Sequence, residues 1–196
     1  MRNQSLQALA LALALFILPA ASAGAADAEA VKAKAQACVA CHGPAGNSAT
    51  ELIPTLAGQT SRYMVLQLRD FKEGRRKDPL MSPLAATLSK EDMQELADYF
   101  AAQKPAGNGF KPDAARVAAG AQKANEVLCT MCHLGGLKGQ NEIPRLAGQQ
   151  PEYIVKQMKA FRSRERTNDA GNMTSVSRNL TDEDIANLAN YIGSLF

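Results

Sequence analysis

The sequence predicts an all-α protein made of two helical domains in tandem, and three observations support this. The pattern C-x-x-C-H occurs at Cys38 and again at Cys129. A longer repeat, with an offset of 90 to 92 residues, surrounds both copies. Apolar residues recur with the period of a helix, and no segment shows the alternation expected of a half-buried strand.

Residues 1–23 have the features of a secretory signal peptide. Arg2 is followed by an apolar run from Leu6 to Leu18 and then by small residues, with cleavage predicted after Ala23 and sites up to residue 26 also suitable. The run is shorter than the roughly 20 residues of a membrane span, which disfavours an uncleaved anchor. Removing Arg2 lowers the formal charge from +3 to +2, which gives no argument for nucleic-acid binding.

The repeat defines the domain boundaries. Residues 53–59 return as residues 143–149, and residues 88–100 return as residues 180–192. Between the two copies lies a segment rich in proline and glycine, which is typical of a linker. We therefore predict an N-terminal domain at 27–103, a linker at 104–112 and a C-terminal domain at 113–196.

Within each unit the patterns are helical. Tyr63, Gln67 and Phe71 share one helix face, as do their counterparts in the second unit. Ser89 with Asp92 predicts a capped helix start, and the second unit repeats this with Thr181 and Asp184. Segments 43–52 and 74–86 are predicted to be loops, as are their partners.

Three chemistries could explain C-x-x-C-H. A redox-active disulfide usually accompanies a βαβ pattern, which is absent from this sequence. A closed zinc site needs four ligands, but each motif offers three and the chain has no other Cys or His. Covalent haem uses two thiols for attachment and the adjacent histidine as an iron ligand. We favour haem because the pattern is repeated in an exported chain, and because a haem would fill the core of a small domain. The predicted attachment residues are Cys38, Cys41, Cys129 and Cys132, with His42 and His133 as iron ligands.

The second iron ligand in each domain is predicted to be a methionine. No third histidine exists, so two histidines cannot bind each iron. Of the six methionines after the signal peptide, only Met81 is matched by another methionine, Met173. They lie 39 and 40 residues after their histidines. Methionine with histidine raises the reduction potential of a haem.

Pro54 and Pro144 recur in the I-P-x-L-A-G segments. Each could present a carbonyl oxygen to Nδ1 of the preceding histidine and so orient its ring, or could simply end a loop. Tyr63 and Tyr153 could line the haem, reach a propionate or pack within a helical core.

Two basic clusters occupy matching places at the ends of equivalent helices. Solvated surface is the default interpretation, and the alternatives are pairing with haem propionates or docking an acidic partner. The clusters are Lys72, Arg75, Arg76 and Lys77 in the first unit, and Lys159, Arg162, Arg164 and Arg166 in the second.

These motifs resemble the dihaem cytochromes c4, which consist of two class I cytochrome c domains. The resemblance covers nearly all of the chain after the signal peptide. The segments that resemble the family are C-V-A-C-H with G-P-A-G-N-S after it, both I-P-x-L-A-G-Q segments, M-S-P-L at Met81, and L-T-D-E-D-I at Leu180. It implies one His/Met haem in each domain, domains packed face to face, and propionates near the domain boundary.

The resemblance further implies electron transfer in the periplasm rather than enzymatic catalysis. The expected donor is a quinol-oxidising complex or a small redox protein, and the expected acceptor is a terminal oxidase. Any association with the membrane would be peripheral, through these partners. The alternative is a dihaem subunit of a larger oxidoreductase, such as a sulfide-oxidising flavocytochrome. A peroxidase or gas sensor would need an iron without its methionine, and the paired Met81 and Met173 argue against this.

Overall fold

The computed structural model describes residues 23–196, with side chains from residue 28. The predicted signal peptide lies outside the described residues, apart from Ala23. Residues 23–196 contain no β-strand, and an isolated bridge pairs Gln140 with Ile143, so the all-α prediction is confirmed. The α-helices are α1 (Ala23–His42), α2 (Ser61–Lys72), α3 (Met81–Ala86), α4 (Lys90–Ala101), α5 (Ala114–Glu126), α6 (Cys129–His133), α7 (Pro151–Ser163), α8 (Asn172–Ser177) and α9 (Asp182–Gly193).

The two halves of the chain use the same helix order. In the first half, α1 packs against α4 and α2 packs against α3 and α4. In the second half, α5 packs against α9, and α7 packs against α8 and α9. One difference is that α1 continues through the first motif, whereas Leu128, with a left-handed φ of 58°, separates α5 from α6.

Each half has its own hydrophobic core. Leu96 and Phe100 of α4 are buried with Met64 of α2 in the first. Leu188 and Ile192 of α9 are buried with residues of α5 and α7 in the second. The α5–α9 contact is close at Gly120, where a Cβ atom would lie 2.1 Å from the carbonyl oxygen of Asn187.

Both predicted helix caps are confirmed. The Ser89 hydroxyl accepts a hydrogen bond from the Asp92 backbone N–H at 3.0 Å, and the Asp92 carboxylate accepts one from the Ser89 N–H at 3.0 Å. Thr181 and Asp184 make the same reciprocal pair at 3.0 and 2.9 Å. These bonds satisfy N–H groups that lack partners within the helix.

The predicted loops around the two methionines are wrong in part, because each methionine lies in a short helix. Met81 is the first residue of α3, and Met173 is the second residue of α8. Asp78 Oδ1 accepts hydrogen bonds from the N–H groups of Leu80 and Met81 at 3.0 and 3.1 Å. The side chain of Asp78 thus stabilises the start of α3, a helix that the pattern of apolar residues does not predict.

Candidate functional site

Each C-x-x-C-H motif is helical, which brings its three functional side chains together. Cys38, Cys41 and His42 end α1, and their counterparts form α6. Residues three and four positions apart share a helix face, so both thiols and the imidazole of one motif lie on one side of the helix. Cys38 packs against the first core, whereas Cys41 is exposed. The second motif repeats this with Cys129 and Cys132.

Both histidines are held by a backbone carbonyl. His42 Nδ1 lies 2.7 Å from the oxygen of Pro54, and His133 Nδ1 lies 2.8 Å from the oxygen of Pro144. A carbonyl oxygen can only accept, so Nδ1 must carry the proton and Nε2 must carry the free lone pair. This is the tautomer in which Nε2 can bind a metal.

The histidines are also kept neutral by burial. Each is 6% exposed. Burial lowers the pKa of both imidazoles below the ordinary value, and the bond to the proline carbonyl opposes this effect only in part. Neutral imidazole is the form that ligates metals.

The surroundings of Cys38 and Cys129 do not favour the thiolate form that redox and zinc chemistry need. Burial raises the pKa of the Cys38 thiol, and the neighbouring Cys41 raises it further. Burial likewise raises the pKa of Cys129. Reactive redox cysteines instead have a lowered pKa, and zinc binds the thiolate. Two thiols on one helix face beside a neutral imidazole with a free Nε2 fit covalent haem attachment.

Met81 lies on α3, which follows α2, and Met173 lies on α8, which follows α7. Both side chains are partly buried. In the second domain, Asp169 Oδ2 accepts a hydrogen bond from the N–H of Thr174 at 2.6 Å, which fixes the start of α8. Both methionine segments are therefore anchored by an aspartate a few residues upstream.

The domains contact each other through paired glutamines. The Gln59 carboxamide donates to the carbonyl oxygen of Arg145 at 2.9 Å and accepts from its N–H at 2.7 Å. Gln149 makes the equivalent pair with Thr55, at 2.9 and 2.7 Å. Since Gln59 matches Gln149 and Thr55 matches Arg145 in the repeat, the contact is reciprocal, as in a two-fold symmetric dimer.

Two buried arginines extend this reciprocal contact. Arg76 donates to the Tyr153 hydroxyl and to Gln157 Oε1 across the boundary, both at 2.9 Å. Arg166 donates to the Tyr63 hydroxyl at 3.1 Å and to Gln67 Oε1 at 2.9 Å. Each guanidinium also lies over a phenylalanine ring of its own domain, Phe71 or Phe161, at 4.6 and 4.4 Å from the centroid.

These contacts correct the interpretation of the basic clusters. Solvated surface is wrong for Arg76 and Arg166, which are 9% and 8% exposed. Within residues 28–196 neither guanidinium forms an ion pair with a carboxylate; the cross-domain partners are tyrosines and glutamines. The sequence does mark these two arginines as equivalent, because each follows the repeated phenylalanine by five residues.

The positive charge at the boundary affects the pKa of Tyr63. Burial raises the pKa of Tyr63, but the positive charges of Arg166 and Arg76 outweigh burial and lower the pKa below its ordinary value. The sequence did not predict the role that the structure shows for Tyr63 and Tyr153, whose hydroxyls accept hydrogen bonds from the other domain's arginine.

One hydrogen bond at the domain boundary has no equivalent in the other half of the repeat. Asn168 donates to the Asp70 carboxylate at 2.6 Å, but the matching positions hold Asp78 and Ala160, whose methyl group cannot accept a hydrogen bond. A cleft of about 720 Å³ lies beside α7 at this place. Its cationic lining residues are Arg76, Lys77, Lys156, Lys159, Arg162 and Arg166.

Comparison with known proteins identifies the family. The family model described as cytochrome c matches residues 28–104 and again residues 117–196. The chain is 36% identical over 176 residues to cytochrome c4 of Azotobacter vinelandii, an alignment that covers 81% of this chain and 84% of that protein. The chain belongs to the cytochrome c4 family.

Solved structures agree with this assignment. The crystal structure of reduced recombinant cytochrome c4 from Pseudomonas stutzeri superposes with a TM-score of 0.79 at 35% identity, covering 86% of this chain and 98% of that one. A further relative, the thiosulfate dehydrogenase electron acceptor of Stutzerimonas stutzeri (strain A1501), is 34% identical, with 81% of this chain and 79% of that protein covered.

Family membership decides between the three chemistries of C-x-x-C-H. The chain carries two covalent haem c groups, one attached through Cys38 and Cys41 and one through Cys129 and Cys132. It is a dihaem electron carrier and not an enzyme. Among the described residues, no helix combines the length and apolarity that crossing a membrane requires.

Proposed function

We propose that each haem iron has one histidine and one methionine ligand, His42 with Met81 and His133 with Met173. The observation that carries this proposal is the bond from each histidine Nδ1 to a proline carbonyl, at 2.7 and 2.8 Å, which leaves Nε2 free in both domains. The bound haem supplies one-electron iron chemistry. The proline carbonyls hold each imidazole in one tautomer and strengthen it as a ligand.

The two buried arginines are proposed to balance the carboxylate groups that each haem brings. A buried charge without a partner is costly, and neither Arg76 nor Arg166 forms an ion pair with a carboxylate among the described residues. Both lie at the domain boundary, where each is hydrogen-bonded to the other domain. Haem propionates at this boundary would neutralise them.

The mature protein is proposed to work in the periplasm. In this proposal the signal peptide is removed after Ala23, or up to residue 26, and domains 27–103 and 113–196 remain joined by residues 104–112. The apolar segment and small residues at the N-terminus support export. N-terminal sequencing of the protein recovered from a periplasmic extract tests the cleavage site.

The proposed pathway is respiratory. Electrons would arrive from a quinol-oxidising complex or a small redox protein and leave towards a terminal oxidase. The cationic cleft beside α7 is proposed to contact an acidic partner, because its six basic side chains outnumber the two acidic ones that line it. Addition of the reduced holoprotein to membranes of the source organism tests this pathway. Rapid haem oxidation with oxygen uptake is expected, and no oxidation would exclude a terminal oxidase as acceptor.

A second candidate function is to accept electrons from a thiosulfate-oxidising enzyme. The observation that favours it is the 34% identity to a thiosulfate dehydrogenase electron acceptor over 81% of this chain. A sulfide-oxidising flavocytochrome belongs to the same class of larger oxidoreductase. Reduction of the oxidised holoprotein by thiosulfate together with a thiosulfate dehydrogenase, but not by quinol with a quinol-oxidising complex, would favour this alternative.

A further inference from the structure

The linker lies against both domains, although its sequence is rich in proline and glycine. Pro105, Asn108 and Phe110 are half-buried, whereas the residues beside them are exposed. A Cβ atom on Gly58 would lie 2.5 Å from Cγ of Pro105, and one on Gly193 would lie 3.2 Å from Cδ1 of Phe110. The linker therefore packs on the N-terminal domain at one end and on the C-terminal domain at the other.

An asparagine of the N-terminal domain holds the start of the linker. Asn47 Oδ1 accepts a hydrogen bond from the N–H of Ala106 at 2.7 Å, and its Nδ2 donates to the carbonyl oxygen of Lys104 at 3.2 Å. The next residue, Ser48, is buried, and its carbonyl oxygen accepts a hydrogen bond from Gln150 Nε2 across the domain boundary at 2.6 Å. The linker and the domain boundary are thus attached to adjacent residues.

A second asparagine, within the linker, holds the C-terminal domain. Asn108 Nδ2 donates towards three carbonyl oxygens at 3.3, 3.4 and 3.4 Å, those of Gly148, Gln149 and Gly193. Its Oδ1 accepts a hydrogen bond from the N–H of Phe110 at 2.9 Å, which fixes the orientation of the carboxamide. Gln149 is also the residue whose side chain pairs with Thr55 across the boundary. This end of the linker too is attached beside a residue that joins the domains.

The boundary depends on such support because most of its contacts are polar. A hydrogen bond between groups that water can also satisfy contributes little net free energy. Polar boundaries between domains of one chain favour relative motion. A linker held in place at both ends keeps the two surfaces close together and lowers the entropy lost when they pair.

We propose that residues 104–110 form a fixed strap in which Asn47 and Asn108 are positioning residues for electron transfer between the two haems. The strap keeps Ser48 and Gln149 opposite their partners and so holds both haem domains in one arrangement. Electron exchange within the chain needs no outside reactant, because one iron is oxidised as the other is reduced. The inference depends on the two covalent haems and not on their proposed axial ligands or partner proteins.

Hydrogen exchange in the holoprotein measures how often the domains separate. Two backbone amides are protected by bonds that cross the boundary. The Tyr153 N–H donates to the carbonyl oxygen of Glu51 at 3.1 Å, and the Thr55 N–H donates to Gln149 Oε1 at 2.7 Å. Tyr153 lies in the first turn of α7, where an N–H has no partner within the helix. Separation of the domains therefore exposes both amides to solvent.

Asn108→Ala is expected to speed exchange at both boundary amides about 5- to 30-fold, because the paired arrangement loses hydrogen bonds that hold it closed. Asn47→Ala should act in the same way from the other end of the strap. The Ile185 N–H, which donates to Thr181 within the C-terminal domain, should exchange at the wild-type rate. Gly107→Ala, whose methyl group would meet nothing within 4 Å, is the control in the same segment and should change none of these rates.

Asn108→Asp separates the two contacts of this side chain. Aspartate keeps an oxygen for the N–H of Phe110 but has no N–H to donate to the three carbonyl oxygens. Exchange as fast as in Asn108→Ala is expected. Exchange at the wild-type rate would show that the local turn at Phe110 is sufficient, and would overturn the role of Asn108 in holding the C-terminal domain.

Electron exchange between the haems gives the functional readout. In the half-reduced protein, magnetisation transfer between haem methyl resonances measures this rate, and the part that does not depend on protein concentration is intramolecular. The wild type should keep rapid exchange up to the urea concentration at which its visible spectrum changes. Asn108→Ala should lose it at a lower concentration, while both haem spectra are still intact.

The outcomes separate this inference from the proposed ligation and from a merely structural role. A lower unfolding midpoint in Asn108→Ala, with unchanged exchange at Tyr153 and Thr55, would overturn the strap. Loss of electron exchange only on unfolding, in both proteins, would overturn its role in electron transfer. A failure of His/Met ligation would instead appear in the visible spectrum of the wild type.

Discussion

Arg76 of the N-terminal domain donates a hydrogen bond of 2.9 Å to the hydroxyl of Tyr153 in the C-terminal domain. The same guanidinium donates to Gln67 of its own domain at 2.8 Å. One buried side chain therefore connects α2 of the N-terminal domain with α7 of the C-terminal domain. Arg166 makes the equivalent connection in the opposite direction. The domain boundary therefore depends on two arginines that occupy equivalent positions in the repeat.

We expect Arg76→Ala to weaken the contact between the domains. The change leaves the Tyr153 hydroxyl without this donor. It also removes one donor from the Gln67 and Gln157 oxygens, to which Arg166 still donates. We expect the free energy of unfolding to fall by about 2–4 kcal/mol. Urea unfolding of the holoprotein measures this loss. Lys77→Ala, at the adjacent exposed position, is the control and should change stability by less than about 0.5 kcal/mol.

A double-mutant cycle with Tyr153→Phe isolates the Arg76–Tyr153 pair. Residues in direct contact show a coupling energy of about 0.5–3 kcal/mol, whereas independent residues have additive effects. Additive losses from Arg76→Ala and Tyr153→Phe would mean that the two side chains do not interact in the folded protein.

We expect Gly120→Ala to destabilise the C-terminal domain although it replaces glycine with a better helix former. The added methyl would lie 2.1 Å from the Asn187 carbonyl oxygen and 2.7 Å from Cβ of Tyr191. Forcing α5 and α9 apart costs about 1–3 kcal/mol, more than the gain of about 1 kcal/mol in helix propensity. Gly107→Ala, where a new Cβ would meet nothing within 4 Å, is the control for thermal unfolding.

We expect stability to fall in acid, partly through the cap of α9. The backbone N–H of Thr181 lowers the pKa of Asp184, with the Thr181 hydroxyl and Lys123 adding to this and burial opposing it. The unfolded chain, with an aspartate pKa of about 3.9, therefore binds the proton more tightly than the folded protein. The stabilisation is complete above this value and is lost as the pH falls towards the folded pKa.

Asp184→Asn tests this origin of the acid effect. The variant keeps an oxygen acceptor but has no titrating group, so its unfolding free energy should fall less steeply than that of the wild type below about pH 5. Measurements of urea unfolding from neutral pH down to about pH 3 give both curves. Equal slopes would show that Asp184 does not contribute.

We expect electron transfer to an acidic partner to slow as salt is added. Exposed charges are screened beyond about 8–10 Å at physiological ionic strength, and complementary charge mainly raises the association rate. Lys77→Ala, in the cationic cleft, should lower the second-order rate and flatten its dependence on salt. Lys111→Ala, exposed in the predicted linker, should change neither. A salt-independent rate in the wild type would exclude docking through this cleft.

The sequence could predict the features that depend on local pattern. The all-α class follows from helical periodicity, and the caps at Ser89 and Thr181 follow from residues three positions apart. The contact between the Pro54 carbonyl and His42 could also be predicted, because both residues recur at nearly the same spacing in the second unit. Each motif alone has low specificity, but its recurrence at the matching position of the second unit supports the same assignment twice.

Features set by packing between distant segments could not be predicted in this way. The spacing of five residues from Phe71 marks Arg76 as equivalent to Arg166, but it does not show that Arg76 is buried, because the partners Tyr153 and Gln157 come from the other domain. The short helices at Met81 and Met173 were missed because an aspartate side chain starts them and their apolar pattern is too brief to detect.

Both haems are proposed to have one histidine and one methionine ligand, so that neither iron is open to an added ligand. The most direct test is a potentiometric titration of the mature holoprotein followed by its visible spectrum, with added carbon monoxide. We expect two low-spin haems with positive potentials, neither of which binds carbon monoxide. A high-spin haem, or one that binds carbon monoxide, would show that Met81 or Met173 is not a firm ligand and would rule out His/Met ligation of both irons.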